Sequence, residues 1–396
     1  MAEPWLSIIG IGEDGLAGLG VSSRNALAAA EFVFGGPRHL ALAGVGARGR
    51  PWPVPFDIGP VIACRGRRTA VLASGDPFWH GAGAVLARAL EAGEWVAYPA
   101  PSTFALAAAR LGWALECTAC LGLHAAPFEG MLTHLRAGAR LLCLLRDGAA
   151  PARLAAWLCD RGFGDSRLHV LEALGGPRER IRATRARDFA LDDVATPVAI
   201  AIEAAGPPGL PRAPGLPDDR FVHDGQITKA PVRALTLSAL APRGGEMLWD
   251  LGAGSGSIAV EWCLAAGGRA VAVERRADRL AGLDANLAAF GLRDRVTVIG
   301  GEWADALPDL PAADAVFVGG GATAATLAAL WARLRPGARL VINAVTLETE
   351  HLLAEAAARL GGTLLRFELA EAKPLGSFRG WVPARPIVQW SVTKCA

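Results

Sequence analysis

One glycine-rich segment carries the strongest chemical signal in the sequence. It is Trp249-Asp-Leu-Gly-Ala-Gly-Ser-Gly-Ser257, between a predicted strand and a predicted helix, where open α/β sheets bind their ligands. Gly252, Gly254 and Gly256 follow a G-x-G-x-G spacing, whereas a dinucleotide loop has its third glycine one residue later, at Ser257. A phosphate-cradling turn needs that later glycine so that the helix can approach closely. A loop whose last glycine comes one residue earlier, at Gly256, favours a nucleoside with an uncharged thioether and an amino-acid tail.

Two carboxylates flank this loop. Asp250 directly precedes it, and Glu274 ends the next predicted strand, where an acidic side chain can accept hydrogen bonds from both hydroxyls of a ribose. The arrangement resembles motif I of the Rossmann-like S-adenosylmethionine methyltransferases. That resemblance implies that Asp250 holds the ammonium group of the cofactor, directly or through water. It also implies cofactor contacts along the loop, at Gly252, Ala253, Gly254, Ser255 and Gly256.

A third cofactor contact is predicted in Gly300-Gly-Glu-Trp-Ala-Asp305, after the third strand of the same half. The folds that it resembles place the group facing adenine here. Trp303 is therefore a candidate to stack on the base, and Glu302 or a backbone amide beside it, up to Ala304, is a candidate to bind the amino group. The alternative makes Trp303 a core aromatic residue and Asp305 a helix cap, and the sequence leaves both open.

The segment His223-Asp-Gly-Gln-Ile-Thr-Lys-Ala-Pro-Val-Arg233 leads into the first helix of this half. Together with Val318-Gly-Gly-Gly321, Asn343-Ala-Val-Thr-Leu-Glu-Thr349 and Lys373-Pro-Leu-Gly376, it resembles the small precorrin methyltransferases that methylate C15 and decarboxylate a ring acetate. The resemblance covers nearly all of residues 220–396. It implies that Thr228 closes over the cofactor, and a helix N-cap at Thr228 is a structural alternative compatible with that role.

The first half of the chain has its own glycine motif, Gly10-Ile-Gly-Glu-Asp-Gly15. It matches G-x-G-x-x-G and alone would suggest a nicotinamide or flavin site. Glu31 precedes the next predicted strand instead of ending it, so the acidic partner for a ribose is missing. The assignment of a dehydrogenase would rest only on Gly10, Gly12 and Gly15.

Two further loops follow predicted strands, Leu72-Ala-Ser-Gly-Asp-Pro-Phe-Trp-His-Gly81 and Pro99-Ala-Pro-Ser-Thr103. With Ile9-Gly-Ile-Gly12 and His124 they resemble the tetrapyrrole methylases, most closely the precorrin C5 methyltransferases, through about residue 203. The resemblance implies a bilobal domain that binds folded S-adenosylmethionine between its lobes. It implies catalytic roles for His124 and Asp76 and cofactor contacts at Gly10, Gly12, Ser74, Gly75, Asp76, Ser102 and Thr103.

Structural alternatives exist for both proposed catalytic residues. Asp76-Pro77 is also an ordinary turn, and a lone histidine such as His124 is often a satisfied core or surface residue. The chain also departs from the usual family pattern twice. Glu13 stands where the first loop commonly has proline, and two alanines follow His124 where Gly-Arg is usual.

A tetrapyrrole substrate carries many carboxylates, so cations are expected at the rims of both clefts. The candidates in the second half are Arg233, Lys373 and Arg379, and solvated surface charge is their alternative role. Methyl transfer from a sulfonium needs alignment and a water-poor cleft more than a strong base. Few catalytic side chains are therefore expected.

The elements that must position these residues predict an α/β protein of two domains. Strand-like runs alternate with Ala-rich helical runs, and the run Gly206-Pro-Pro-Gly-Leu-Pro-Arg-Ala-Pro-Gly-Leu-Pro217 interrupts the alternation. We predict a bilobal tetrapyrrole methylase domain over residues 1–205, a Pro/Gly linker over 206–218, and a Rossmann-like methyltransferase domain over 219–396. The first lobe is expected to have a largely parallel sheet and the second lobe to be a further α/β unit.

Composition restricts the partners and the setting. The 40 basic and 38 acidic residues nearly balance, which argues against nucleic acid as the partner. No run reads as a membrane span, the N-terminus lacks the basic start of a signal peptide, and the 7 scattered cysteines suggest no metal site. We expect a cytoplasmic protein, and the resemblance suggests a homo-oligomer.

The resemblances together imply one S-adenosylmethionine per domain and an anionic precorrin substrate. The reaction would be methylation of precorrin-6B at C5 and C15 with loss of a ring acetate carboxylate, giving precorrin-8 in cobalamin biosynthesis. The alternative is a Rossmann-like methyltransferase for another small molecule, a protein or an RNA, with a non-catalytic N-terminal binding module.

Overall fold

The computed structural model describes residues 4–395, which form two compact units. The first unit extends to Gly209 and the second begins at Leu210. The Pro/Gly run therefore divides between them. Its second part packs onto the second unit, because Leu216 is buried in that unit's core.

The first unit contains two five-stranded sheets. One is parallel throughout, in the order β3-β2-β4-β1-β5. Its strands are β1 (Leu6–Ile11), β2 (Phe32–Gly35), β3 (Gly49–Pro51), β4 (Thr69–Ser74) and β5 (Trp95–Tyr98). Its helices are α1 (Val21–Ala29), α2 (Pro37–Leu42), α3 (Gly59–Ile62), α4 (Gly83–Ala89) and α5 (Thr103–Leu111).

The second sheet of this unit has the order β6-β7-β10-β8-β9 and is mostly antiparallel. Only β6 and β7 pair in parallel. The strands are β6 (Ala119–Gly122), β7 (Arg140–Leu144), β8 (Arg167–Glu172), β9 (Arg180–Arg185) and β10 (Val198–Glu203), with helix α6 (Ala150–Asp160) beside them. β8, β9 and β10 connect without intervening α-helices, which explains why antiparallel pairing replaces the parallel crossovers of the first sheet.

The second unit is built on a seven-stranded sheet in the order β13-β12-β11-β14-β15-β19-β16. Its strands are β11 (Met247–Leu251), β12 (Arg269–Glu274), β13 (Val296–Gly300), β14 (Ala315–Val318), β15 (Arg339–Ala344), β16 (Thr363–Phe367) and β19 (Ile387–Thr393). β17 (Ala370–Leu375) and β18 (Phe378–Pro383) form a separate two-stranded hairpin. The helices are α7 (Ala230–Leu240), α8 (Ser257–Ala266), α9 (Ala277–Ala289), α10 (Trp303–Ala306), α11 (Ala324–Arg333) and α12 (Leu347–Leu360).

The order of this sheet positions the glycine-rich loop. β11 and β14 are central and parallel neighbours, and the chain reverses direction across the sheet between them. Ligands of open α/β sheets bind at such a switch point, beyond the carboxyl ends of the strands. The predicted fold class is confirmed: a bilobal α/β unit is followed by a Rossmann-like unit.

Candidate functional sites

The first unit has a cleft at the carboxyl ends of β1, β4 and β5, with a cavity of about 370 Å³. Residues of both its sheets line the cleft, so the cleft lies between the two lobes of this unit. Several residues proposed from the sequence lie in the lining: Gly12, Ser74, Gly75, Ser102, Thr103 and His124. Gly10 and Asp76 are outside it.

Gly10 and Gly75 allow the three loops of the cleft to meet backbone to backbone. A Cβ atom on Gly10 would lie 1.8 Å from the Gly75 carbonyl oxygen and 2.7 Å from the Ala100 nitrogen. Gly75 has a φ of +55°, and its Cβ would lie 2.7 Å from the Pro101 oxygen. Any side chain at either position would push the loops apart, so the structure gives Gly10 a packing role beneath the cleft.

Two other residues at these loops organise their own backbone. The Ser102 side chain accepts a hydrogen bond of 3.1 Å from the Ala105 nitrogen and so caps α5. Asp76 Oδ1 accepts one of 2.8 Å from the Phe78 nitrogen. This hydrogen bond supports the structural alternative, in which the Asp76 carboxylate shapes the turn, and the catalytic role of Asp76 stays a prediction.

His124 lies in the cleft beside a second histidine. The rings of His80 and His124 are 6.3 Å apart in an edge-on arrangement. Burial, followed by the neighbouring His80 and Arg146, lowers the pKa of His124 below its usual value. Its imidazole is therefore neutral at neutral pH and can accept a proton. His80 has a φ of +58°, which is unusual for a residue with a side chain.

A charged group at the cleft was missed by the sequence reasoning. It consists of Glu13 in the loop after β1, Arg38 and His39 in α2, and Arg178 between β8 and β9. His39 Nε2 lies 2.8 Å from the Ser74 hydroxyl, and burial, followed by Arg38, lowers the pKa of His39 to about 4. The sequence did contain a signal for this group, because Glu13 and Arg38 follow the carboxyl ends of two predicted strands, where parallel sheets bind their ligands.

In the second unit the glycine loop has the backbone that its spacing predicts. Gly252, Gly254 and Gly256 have φ values of +75°, +58° and +72°. L-residues with side chains rarely adopt this left-handed conformation, so glycine is needed at all three positions. Gly256 is the N-cap residue of α8.

Asp250 and Glu274 support this loop from below. Glu274 is buried and accepts hydrogen bonds of 2.8 Å from the nitrogens of Gly254 and Arg276. Asp250 is fully buried, and its Oδ2 accepts one of 3.1 Å from the Ala259 nitrogen, while Oδ1 has no hydrogen-bond partner. Burial, and to a smaller extent the Glu274 charge, raises the pKa of Asp250 to about 7.

Trp303 lies in the hydrophobic core, as the structural alternative predicted. Its ring is 5% exposed and packs in the main hydrophobic cluster of the unit, and its Nε1 donates to the Gly320 carbonyl at 3.2 Å. This packing supports the core alternative, and stacking on adenine stays a prediction. Glu302 is the N-cap residue of α10 and is exposed, and Ala304 lies within that helix, so their adenine contacts stay predictions.

The residues that lead into α7 differ most from expectation. The N-cap residue of α7 is Lys229, and the Ala230 nitrogen donates to Asp218 Oδ1 at 3.0 Å, so the N-cap alternative for Thr228 is wrong. Arg233 is fully buried and pairs with Glu261 at 2.6 Å. Its Nε, Nη1 and Nη2 all donate to acceptors inside the domain, which leaves no nitrogen free for a substrate carboxylate and corrects the rim prediction for Arg233.

Lys373 and Arg379 lie on the β17–β18 hairpin and are exposed. Lys373 Nζ is 3.3 Å from Glu371, and Arg379 Nη2 donates to the Ala372 carbonyl at 3.2 Å. Both cations are accessible, so their substrate role stays a prediction.

Other features of residues 4–395 restrict the chemistry further. No helix there is long and apolar enough to cross a membrane, and no group of three or more His, Cys, Asp or Glu side chains is arranged to hold a metal ion. All seven cysteines are free thiols.

Two family models match the chain in succession. Residues 6–190 match "Tetrapyrrole (Corrin/Porphyrin) Methylases". Residues 219–394 match "Precorrin methyltransferase domain". The matches fall in the two structural units and leave the Pro/Gly run between them.

Several relatives match this chain over nearly its whole length. The chain is 47% identical, over all of its own length and 97% of the relative's, to a precorrin-6Y C(5,15)-methyltransferase [decarboxylating] of Sinorhizobium sp. It is 43% identical, over 98% of its length and 99% of the relative's, to a protein of the same name from Mycobacterium tuberculosis. A crystal structure of the C-terminal domain of precorrin-6Y C5,15-methyltransferase from Rhodobacter capsulatus is 54% identical over 47% of this chain and all of that one, with a TM-score of 0.46.

Proposed function

The chain belongs to the precorrin-6Y C(5,15)-methyltransferases (decarboxylating), and from that membership we propose that it methylates a precorrin at C5 and C15 and removes a ring acetate carboxylate. The proposal rests on the sequence identity with these relatives, which extends over nearly the full length of both chains. Such enzymes are S-adenosylmethionine-dependent methyltransferases of cobalamin biosynthesis. The sequence reasoning named precorrin-6B and the relatives are named for precorrin-6Y; the proposal requires a reduced precorrin with C5 and C15 unmethylated.

We propose one S-adenosylmethionine site per domain. In the second domain the fit is supported by the left-handed glycine loop and by Asp250 Oδ1, a buried acceptor without a partner that can receive the ligand's ammonium. Glu274 is the proposed ribose residue, since a carboxylate can accept hydrogen bonds beyond those from Gly254 and Arg276. In the first domain, the loops at 74–75 and 102–103 are the proposed contacts.

S-adenosylmethionine supplies an electrophilic methyl group on a sulfonium. The protein must align that group with an electron-rich meso carbon of the macrocycle and exclude water. The ring's enamine electrons form the new C–C bond while the S–CH3 bond breaks and its electron pair stays on the sulfur of the departing S-adenosylhomocysteine. The meso carbon then loses its proton. In the first domain the neutral imidazole of His124 lines the cleft and is the proposed acceptor of that proton.

Decarboxylation needs a place for an electron pair. When the C–C bond to the carboxylate breaks, the pair passes to an adjacent protonated imine of the macrocycle, carbon dioxide leaves, and a proton replaces it on the carbon. A water-poor cleft favours this step because it removes the solvation of the carboxylate. We assign C5 methylation to residues 1–205 and C15 methylation with decarboxylation to residues 219–396.

Mass spectrometry of precorrin-6Y incubated with S-adenosylmethionine and the full chain tests the function. We expect a product with two additional methyl groups and without one carbon dioxide. Thr103→Trp fills the first cleft and should leave one methylation and the decarboxylation. Glu274→Ala removes the proposed ribose contact of the second domain and should leave one methylation with the carboxylate retained. Unchanged substrate with the wild-type chain would refute the proposal.

We also propose that the enzyme is a homo-oligomer in the cytoplasm. The β17–β18 hairpin supports the first part, because Leu375, Phe378 and Trp381 are 69%, 79% and 76% exposed. The seven free thiols support the second part, since they suit a reducing compartment.

A further inference from the structure

The carboxylate of Glu13 joins the two sheets of the first domain. Arg38 Nη1 contacts Glu13 Oε1, and Arg178 Nη2 lies 3.4 Å from Oε2. Arg38 belongs to α2, beside the parallel sheet, whereas Arg178 lies between two strands of the antiparallel sheet. The Glu13 side chain is 7% exposed, so this ion-pair group is well shielded at its centre.

The group has an excess of positive charge. One carboxylate faces two guanidiniums, and His39 beside them is neutral because burial lowers its pKa to about 4. Glu13 and Arg38 are also the only charged residues, histidines aside, that line the cleft within the described part of the chain. Arg178 is not one of the lining residues but adjoins the cleft through its contact with Glu13. The group beside the cleft therefore carries one positive charge without a partner.

Both arginines retain donors for a ligand. A guanidinium has five N–H donors. Arg38 uses Nη2 for the Ser74 hydroxyl and for His39 Nε2, at 2.9 and 2.8 Å. The Arg178 side chain is 64% exposed, and within residues 4–395 its only ion-pair partner is Glu13. Arg178 can thus offer a planar pair of N–H groups to a carboxylate, the geometry that guanidinium binds best.

The rest of the cleft wall is mainly apolar or aromatic, and includes Trp52, Trp79 and Leu171. Such walls suit the face of a macrocycle but leave its carboxylates without partners. A carboxylate that loses water without a counter-charge is costly, so a bound tetrapyrrole needs cations where its side chains reach the protein.

We propose that Arg38 and Arg178 together bind one carboxylate side chain of the tetrapyrrole in the first domain. Glu13 is a positioning residue, which holds the two guanidiniums at one point although they come from different sheets. This assignment rests on the proposed function. Cations were expected from the sequence at both clefts but were named only in the second domain, and this assignment names them in the first.

The test measures C5 methylation by the full chain with [methyl-13C]-S-adenosylmethionine, because NMR separates methyl groups at C5 and C15. Arg178→Met should raise the KM for the tetrapyrrole in C5 methylation about ten- to a hundredfold, the loss expected for charge-assisted hydrogen bonds. The KM for S-adenosylmethionine and the rate at C15 should stay unchanged. Arg178→Lys should recover only part of the loss, because an ammonium lacks the planar fork.

Glu13→Gln tests the positioning role and Arg24→Met is the matched control. Glu13→Gln should raise the same KM by a smaller factor, with the cofactor KM unchanged. Arg24 is exposed on α1 outside the cleft, so its replacement should change nothing. A KM within twofold of wild type for Arg178→Met and for Arg38→Met would overturn the proposal. Absence of any C5 label with the wild-type chain would instead refute the proposed function.

Discussion

Asp250 shows how one residue can serve both fold and ligand. It lies at the end of β11 under the glycine loop, and one of its oxygens is satisfied by the Ala259 nitrogen. The other oxygen is buried without a partner, which costs free energy in the ligand-free protein. Burial raises the pKa of this carboxyl to about 7, so without ligand it is largely protonated below neutral pH. An ammonium group beside Oδ1 would stabilise the charged form.

The first prediction concerns the pH dependence of stability. A carboxyl whose pKa is higher in the folded state holds its proton longer there, so the ligand-free protein loses stability as pH rises from about 4 to about 7. Asp250→Asn keeps an acceptor for Ala259 and removes the titration. The unfolding free energy of the variant minus that of wild type should grow by about 1.4 kcal/mol per pH unit between pH 5 and 7 and level off above.

Calorimetry of ligand-free protein at several pH values checks this prediction. Asp309→Asn, at an exposed position, is the control and should give no such slope. A constant difference between Asp250→Asn and wild type over the whole pH range would show that Asp250 does not titrate there.

At the scale of elements, Arg233 connects three segments of the second domain. From α7 it donates to Glu261 in α8 and to the carbonyl oxygens of Leu216 and Thr228. Glu261 also accepts hydrogen bonds of 2.6 and 2.9 Å from the nitrogens of Gly215 and Leu216. The end of the Pro/Gly run and the loop of Thr228 are thereby held against the helix that follows the glycine loop.

The second prediction follows from this buried pair. Arg233→Met leaves the Glu261 charge buried without its partner, and we expect a loss of about 3–5 kcal/mol in unfolding free energy. The double variant Arg233→Met/Glu261→Gln should lose less than the sum of the single losses, because neither charge then stays unpaired. Urea denaturation measures all three, with Arg220→Met as the exposed control. A loss below 1 kcal/mol for Arg233→Met would contradict the prediction.

At the scale of the whole molecule, the β17–β18 hairpin is a surface that a monomer would rarely expose. Its strands pair only with each other among the described strands, and its large apolar side chains are mostly accessible. Burying such side chains in an interface stabilises an assembly roughly in proportion to the apolar area covered. The proposed self-association would cover this hairpin.

The third prediction is that the double variant Phe378→Glu/Trp381→Glu reduces the assembly to monomers. Two charges in an apolar interface would have to be buried without partners, which is strongly unfavourable. Sedimentation velocity of wild type and variant measures the change. Leu347→Glu, which replaces another side chain that is 79% exposed, should leave the assembly intact. A wild-type chain that sediments as a monomer would refute the oligomer.

The sequence by itself determined the elements and the cofactor loop, because both depend on local pattern. The glycine loop lies between a strand and a helix, as predicted, and Glu274 ends the next strand, β12. The G-x-G-x-G spacing specified three left-handed glycines, a requirement of the backbone within a few residues. The antiparallel second sheet was not foreseen, since half of the six residues of β9 are arginines and the strand lacks the pattern of a buried strand.

The tertiary structure alone decided which polar side chains are free to act. Arg233 and Arg178 look alike in the sequence, yet one is fully buried against Glu261 and the other is exposed beside Glu13. The partner of Arg178, Glu13, is 165 residues away along the chain. Trp303 likewise lies in a core cluster with Trp249 and Trp390, which are far from it in the sequence. Burial and pairing at such separations are set by how the sheets and helices pack, and local sequence carries no record of that packing.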